Sequence, residues 1–282
     1  MLANPAFQAE YRPFVDSYPH WGTIACLPWD ESIFGFPVAD FRLPAIPDRI
    51  SIPIFRDAIH QFCRKNHCEL VCARAGGSEL AMQQLFTVVG FVPVDFNLMA
   101  THPSLKALSL PESRFTLRPA GPEDHGEILR IAGSAFSFGR YHGDPRFPRK
   151  LANARYIQWM QRALEYANSD DKVLVLGAPG AVIGFMNVVV RNGHADLRLG
   201  AIDSSNELGF PGFFLYAEVL RLMRDTGVRR ASAKISAANT RVLNVCARLG
   251  FQFSNAEAVY HWHAPDAPHL LPTLFPERTA SL

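Results

Sequence analysis

The 282-residue chain has no apolar run approaching the roughly 18 residues that a bilayer-spanning helix needs. It also has no block of Lys or Arg. Its 28 basic and 26 acidic residues leave a net charge of +2, too little to form the basic footprint of a nucleic-acid binder. The opening MLANPAFQAEYRPF lacks the charged-then-apolar order of a secretory signal. These absences predict a cytoplasmic protein whose partners are neither nucleic acid nor membrane. Cysteine is sparse: Cys26, Cys63, Cys68, Cys72 and Cys246 make an odd set without a CxxC pair, as expected of reduced thiols. His60, Cys63 and His67 have the spacing of one helix face, but Cys68 and Cys72 run into the strand-like ELVCARA. Zinc sites use paired, short-spaced ligands around a loop, so no metal is expected there. His261 and His263, two apart on a strand, point the same way; a metal pair fits that spacing, but two ligands alone are weak evidence for one.

What is present is enough apolar residue (48%) for a substantial core. Prolines and serines in THPSLKALSLPESR mark a join, giving an N-terminal α/β unit over 1–113 and a second unit over 114–265. The proline-rich tail, 266–282, reads as irregular. The second unit opens with RFTLRPAGPEDHGEI, a strand followed by a Pro-Glu-Asp helix start, then a second helical stretch, ANARYIQWMQRALEYAN. Three strands follow, with turns at APGA and RNGH. A helix (FFLYAEVLRLMRDTG), a strand (RRASAKIS), a helix (NTRVLNVCARLG) and a last strand complete it. The first unit ends in the same order of helix, strand, helix, strand. Shifted by 160 residues, Gly90-Phe91 falls on Gly250-Phe251. A half-domain duplication and two unrelated units sharing helix-end chemistry both account for this.

The pieces RFTLRPAGPEDHGEI, AVIGFMNV and ISAANTRVLNVCARLGFQ, in this element order, resemble the GNAT superfamily of N-acyltransferases. LPWDESIFGFPVADF and FSFGRYHGDPRFPRK are similar to segments of nucleotide-sugar enzymes of the TDP-fucosamine acetyltransferase type. The resemblance implies an α/β (α+β) GNAT fold with a mixed, centrally splayed sheet, preceded by an N-terminal half-GNAT-like domain. It implies transfer of an acyl group, from acetyl-CoA or another acyl thioester, to the small-molecule amine of an amino sugar that is nucleotide-linked in the family. A homodimer is compatible with it. The acyl-CoA pyrophosphate would lie on the helix N-terminus after SSNELGFPGFF, where backbone N–H groups meet phosphate. Gly209, Phe210, Gly212 and Phe213 would offer amides there. Glu207, Phe210 and Pro211 depart from the family's Gln/Arg-x-x-Gly-x-Gly/Ala pattern: an acid, a bulky side chain and a missing N–H.

The resemblance places the reacting carbonyl against the backbone of Gly200, Ala201 and Ile202, and Gly200 in a strand suggests a bulge. Asn239 would contact pantetheine, or cap the next helix, or both. Cys246 stands where many members carry a proton-donating tyrosine, although a small core residue on an apolar helix face is the reading its position favours. Tyr260, His261 and solvent are alternative sources of that proton. Arg140 could pair with a diphosphate, Tyr141 could contact a sugar ring and His142 could accept the amine's proton. A polar surface loop explains the same three residues. Trp29 with Phe34 and Phe36 reads as a structural anchor. Two alternatives follow from the altered loop. One is a donor presented by an acyl carrier protein. The other is a GNAT-fold module for ligand binding or assembly that no longer transfers acetyl groups.

Overall fold

Helix α3 (Leu80–Val89) and helix α7 (Thr240–Arg248) end in the same way. Gly90 and Gly250 take positive φ, 110° and 82°, a conformation that glycine adopts without a side-chain clash. The next amide then reaches back to the last turn: Phe91 N donates to Phe86 O at 2.9 Å, and Phe251 N to Cys246 O at 3.0 Å. Each phenylalanine is thereby driven into a core. The computed structural model describes residues 9–15, 18–47, 50–178, 181–205 and 210–271. They fall into two compact units that are not contiguous in sequence. Unit 1 is Met1–Phe96, Phe138–Ala152 and Glu257–Leu282; unit 2 is Asn97–Ser137 and Asn153–Ala256. The segment 138–152, inside the expected second unit, thus belongs with the N-terminal residues.

In unit 1, β1 (Arg12–Pro13), β2 (Thr23–Cys26), β3 (Val38–Arg42) and β4 (Leu70–Gly76) lie in that order. The final residues of β11 (Gln252–His263) then pair antiparallel with β4, from Glu257↔Gly76 to His263↔Leu70. Strands β3 and β4 are parallel, joined by the crossover helix α2 (Ile52–Asn66), so β4 is covered on both faces and reads as the apolar run LVCA. Phe41, Phe55, Phe86 and Phe91 fill the space beneath them, with edge-to-face contacts such as Phe41 to Phe55 at 5.7 Å. Helix α1 (Pro28–Phe34) starts on a proline and stops at Gly35 in the left-handed region. It directs Phe34, with Phe36, against Tyr141 and Phe147 of segment 138–152.

In unit 2, β6 (Leu117–Pro119), β7 (Asp171–Ala178), β8 (Ala181–Arg191) and β9 (His194–Ile202) form an antiparallel meander. Asn192 and Gly193, both at positive φ, turn β8 into β9, the geometry that a two-residue hairpin demands. The expected turn at APGA contains residues 179–180, which lie outside the described residues. Helix α6 (Pro211–Asp225) carries the chain to β10 (Arg230–Ser236), parallel to β9. The far end of β5 (Val92–His102) pairs antiparallel with β10. Helix α4 (His125–Ala132) and the part of α5 (Arg149–Glu165) beyond residue 152 cover one face, and α6 and α7 the other. At the Pro-Glu-Asp start, the fully buried Asp124 accepts both Arg118 guanidinium nitrogens, at 2.6 and 2.8 Å, and the Gly121 amide. Among the described residues no helix is long and apolar enough to cross a membrane.

The shift of 160 residues holds in the strand register. In unit 2 Asn97 pairs with Ser236 and His102 with Ala231; in unit 1 Glu257 pairs with Gly76 and Trp262 with Val71. Each pairing becomes the other when one partner gains 160 and the other loses it. Helix-end chemistry shared by chance has no reason to reproduce a register, so the observation favours duplication of an α-β-α-β half-domain.

Unit 1 buries Asp40 beneath Tyr11 and Arg74. The Tyr11 hydroxyl donates at 2.7 Å and an Arg74 nitrogen lies against the other carboxylate oxygen. Burial alone would raise the carboxyl pKa, but the Arg74 charge and the Tyr11 hydrogen bond outweigh it and hold it below the usual carboxylate value. A lowered folded-state pKa contributes stability that is fully present above the unfolded value, about 3.9, and is lost as pH falls through the folded value. Urea unfolding from pH 7 to pH 2 is expected to show a loss of stability below about pH 4. Asp40→Asn should be less stable at pH 7 and should show a shallower acid loss; an unchanged acid slope would remove Asp40 from this account.

Candidate functional site

The parallel pairing of β9 with β10 covers only Arg230↔His194, Ala231↔Ala195 and Ser232↔Asp196. Beyond it β9 runs on to Ile202 and β10 to Ser236 without pairing with each other among the described residues. The two strands therefore open a V-shaped gap in the sheet of unit 2. Its cause lies on the other side of β9. Opposite β8, Asn187 pairs with Leu199 and Val188 with Leu197, so Arg198 is an extra residue, a β-bulge. Side chains on the two sides of the bulge face different layers. Leu197 packs with Leu215 and Val219 of α6, whereas Leu199 and Ala201 pack with Ile128 of α4 and Met160 of α5. A bulge bends and over-twists its strand, which carries the end of β9 away from β10.

The bulge expected at Gly200 thus lies at Arg198. A Cβ at Gly200 would sit 2.5 Å from Cε of Met186 on the neighbouring strand, so the end of that flexible side chain would have to shift. Beneath the bulge is a polar pin. Buried Asn187 donates to Asp171 Oδ1 at 2.7 Å and receives the Trp159 indole N–H at 3.4 Å. Arg198 itself lies 3.2 Å from Asp196 and 3.9 Å from Asp171.

The parity of β9 decides which amides the gap receives. Asp203 N donates to Ile183 O at 2.8 Å, across to the β8 side. Strand alternation then turns Ala201 to β8 as well, and leaves Gly200 and Ile202 presenting N–H and C=O to the open edge. Of the three positions expected to face a reacting carbonyl, Gly200 and Ile202 turn their backbone groups to the open edge and Ala201 turns its own into the sheet. Asp203 is itself held by Arg130, whose hydrogen bond keeps the carboxyl below its usual pKa, and by the Ser205 amide.

The loop after β9 is described in part. Gly209 and Glu207 lie outside the described residues. Phe210 takes the left-handed conformation (φ 56°) with its side chain exposed, and Pro211 begins α6. Phe213 N donates to Phe210 O at 3.0 Å, so this amide is engaged inside the first turn of the helix. A Cβ at Gly212 would make ordinary van der Waals contact with Ile202 Cγ1 at 3.9 Å, the nearest described atom outside its own helix backbone and chain neighbours. This sets the helix start beside the end of the splayed strand. Asn239 caps α7, its side chain accepting from Val242 N at 3.2 Å. Cys246 is fully buried on α7, and burial pushes its thiol up to about 12.

Four other predicted site residues lie in unit 1. Tyr260 is buried against Phe86 at 5.5 Å, and burial raises its hydroxyl pKa. Arg140 and Tyr141 both bind the fully buried Asp30 of the PWDES segment, at 3.1 and 2.7 Å. The arginine charge expected for a diphosphate is thus engaged by a carboxylate. His142 is partly exposed and its amide donates to Gly139 O at 3.0 Å. The sequence reading missed Asp144, whose Oδ2 lies 2.6 Å from His261 Nδ1 and 2.7 Å from His263 Nε2. It also missed Asn187, for which there was a signal: one amide inside the apolar run AVIGFMNVVV. Asn187→Leu should leave Asp171 and the Trp159 N–H without this partner and cost about 2 kcal/mol, as loss of a buried hydrogen-bond partner does. Chemical denaturation measures this; a neutral effect would mean that the pin does not hold the bulge.

Comparison with known proteins agrees with this geometry. A family model described as an acetyltransferase (GNAT) domain matches residues 114–252. The chain is 27% identical over 154 residues to the spore coat polysaccharide biosynthesis protein SpsD of Bacillus subtilis (strain 168), which covers 54% of this chain and 53% of that protein. The chain therefore spans about half the length of this curated relative. Among solved structures, a GCN5-related N-acetyltransferase from Sphaerobacter thermophilus aligns with a TM-score of 0.58 at 14% identity, over 86% of this chain and 77% of that one. A GCN5-related N-acetyltransferase from Kribbella flavida gives 0.56 at 15% identity, over 85% and 86%. A tandem GNAT protein from the clavulanic acid biosynthesis pathway gives 0.55 at 15% identity, over 86% and 79%. At such identities the structures speak for the fold alone. Family match, splayed strands and bulge together establish that residues 114–252 of this chain are a GNAT acetyltransferase domain.

Proposed function

We propose that this protein is an N-acyltransferase that moves an acyl group from an acyl-CoA thioester to the amine of a nucleotide-linked amino sugar. The observation that carries the transferase part is the open edge of β9. Gly200 and Ile202 present backbone groups where an extended pantetheine amide chain or a thioester carbonyl can be received. The neutral amine attacks the thioester carbonyl, its nitrogen forming the new C–N bond. The carbonyl oxygen takes up negative charge, which N–H groups at this edge stabilise. Collapse breaks the C–S bond, the thiolate leaves and the amine gives up a proton.

On the family resemblance, His142, partly exposed, is the proposed acceptor of an amine's proton, and Arg140 and Tyr141 precede it in the segment whose sequence resembles the sugar-binding region. A sugar amine titrates near the roughly pKa 8 of an α-amino group, so a weak base suffices. Cys246 and Tyr260 are the proposed donors to the thiolate. Burial keeps both protonated, the state an acid needs, but also makes both weaker acids than a free thiol of about 8.5, so solvent competes for this role. The sugar part rests on the chain's resemblance to nucleotide-sugar enzymes and on its similarity to SpsD, a spore coat polysaccharide biosynthesis protein.

One observation favours a second form of the donor. Pro211 has no N–H, and Phe213 engages its own within the helix. A helix start with fewer amides to offer suits a donor that does not depend on a pyrophosphate, as pantetheine on an acyl carrier protein does not. Calorimetric titration with acetyl-CoA decides between them. Micromolar binding, weakened roughly tenfold by Asn239→Ala through loss of about one hydrogen bond, is expected for the CoA form. Absence of binding at millimolar ligand would overturn it, and would leave the carrier-protein donor and the non-enzymatic binding module to be tested.

A further inference from the structure

Asp144 lies in segment 138–152, and His261 and His263 at the end of β11; all three belong to unit 1. On a strand, residues two apart project to the same face, so both imidazoles point one way. Asp144 is aimed at them by its own turn. Its Oδ1 accepts the Arg146 amide at 2.9 Å and its carbonyl accepts the Phe147 amide at 3.1 Å. This leaves Oδ2 facing His261 Nδ1 at 2.6 Å and His263 Nε2 at 2.7 Å. The three ligand atoms lie within 4.8 Å of one another. The side chains of Asp144 and His261 are fully buried, and that of His263 is 8% exposed.

Charge sets this cluster apart from the buried aspartates Asp30, Asp40 and Asp124. A buried carboxylate needs a compensating cation, and removing it from water uncompensated is strongly unfavourable. Asp30 has Arg140, Asp40 has Arg74 and Asp124 has Arg118. Asp144 has no Lys or Arg within ion-pair distance among the described residues; its partners are the two histidines. Moreover, His261 Nε2 is buried without a hydrogen-bond partner among the described residues. When Nδ1 ligates a metal the ring proton resides on Nε2, so this nitrogen is the place to which the proton moves.

We infer that Asp144, His261 and His263 form a binding site for a divalent transition-metal ion of the zinc class, independent of the acyltransferase cleft. Two imidazole nitrogens and one carboxylate oxygen are the donor set that zinc takes in three-residue sites, where an additional ligand completes the coordination. The Arg146 amide on Oδ1 is the kind of supporting contact that orients a ligating carboxylate. Metal–ligand bonds of about 2.0–2.1 Å in a tetrahedral arrangement set neighbouring donors roughly 3.3 Å apart. The donors must therefore open from their hydrogen-bonded distances. Asp144 and the histidines are on different elements, so a small movement of segment 138–152 suffices. The ion would tie that segment to β11 within unit 1.

The test uses the full chain, stripped with a chelator and dialysed. It is titrated with zinc sulfate against a chromophoric competitor and, separately, with cobalt(II), whose visible absorption reports low-coordinate nitrogen and oxygen ligation. One equivalent of zinc is expected, with the cobalt bands present. Asp144→Asn and His263→Gln should lower the affinity by more than the roughly 100-fold that losing a supporting contact costs. Absence of stoichiometric zinc binding to the wild-type chain, or equal binding by both variants, would overturn the inference and leave a hydrogen-bonded clasp in its place. If a variant fails to fold, the cobalt spectrum of the wild-type chain decides: no ligand-field bands, no site.

Discussion

A β-strand shows alternate residues to alternate faces, so Leu197, Leu199 and Ala201 should share one layer. They do not: Leu197 packs under α6 and the other two under α4 and α5. One extra residue, Arg198, reconciles the chain with both layers, and the cleft depends on it. Without the bulge β9 would continue beside β10, both strands would satisfy each other's backbone groups, and no edge would remain for a ligand. With it, Gly200 and Ile202 keep hydrogen-bonding capacity that the sheet does not use. The polar pin of Asn187, Asp171 and Trp159 lies where the ladder is disrupted, in a position to hold that local irregularity in one conformation.

Unit 1 is organised by buried charge. Asp30 gathers Arg140 and Tyr141, Asp40 gathers Tyr11 and Arg74, and Asp144 gathers two histidines. Such pairs add little net stability over apolar packing, but breaking one leaves an uncompensated charge, so they specify which segment goes where. Two of the three fix segment 138–152. Its aromatic residues, Tyr141 and Phe147, could pack against many apolar surfaces, whereas Arg140 and Asp144 have partners in one arrangement. This explains why a stretch that lies within the GNAT match in sequence forms part of the other compact unit.

The elements were largely legible in the sequence because their signals are local. Gly-Phe after a helix, Asn-Gly between strands and Pro-Glu-Asp before a helix each act through one turn of backbone. The internal shift of 160 residues was legible too, although only the strand register made it more than a coincidence of helix ends. The bulge was not legible. ADLRLGAI alternates as a flat strand would, and the glycine drew attention away from Arg198; only the change of layer reveals the inserted residue. The roles of Arg140 and Tyr141 were hidden for another reason. Their partner, Asp30, is 110 residues from Arg140, and a polar loop gives no local sign of a distant buried carboxylate. Asp144 escaped notice likewise, since its histidines lie more than a hundred residues downstream.

The central claim is that β9 beyond Arg198 offers Gly200 and Ile202 to a ligand while Ala201 remains in the sheet. Residue-resolved amide hydrogen exchange of the free protein, and of the protein with acyl-CoA or acylated pantetheine, tests it most directly. The account predicts slow exchange at Ala201 in every state, with fast exchange at Gly200 and Ile202 that becomes slow when the ligand binds. Protection of Gly200 and Ile202 in the free protein, or fast exchange unchanged by a ligand shown to be bound, would contradict it.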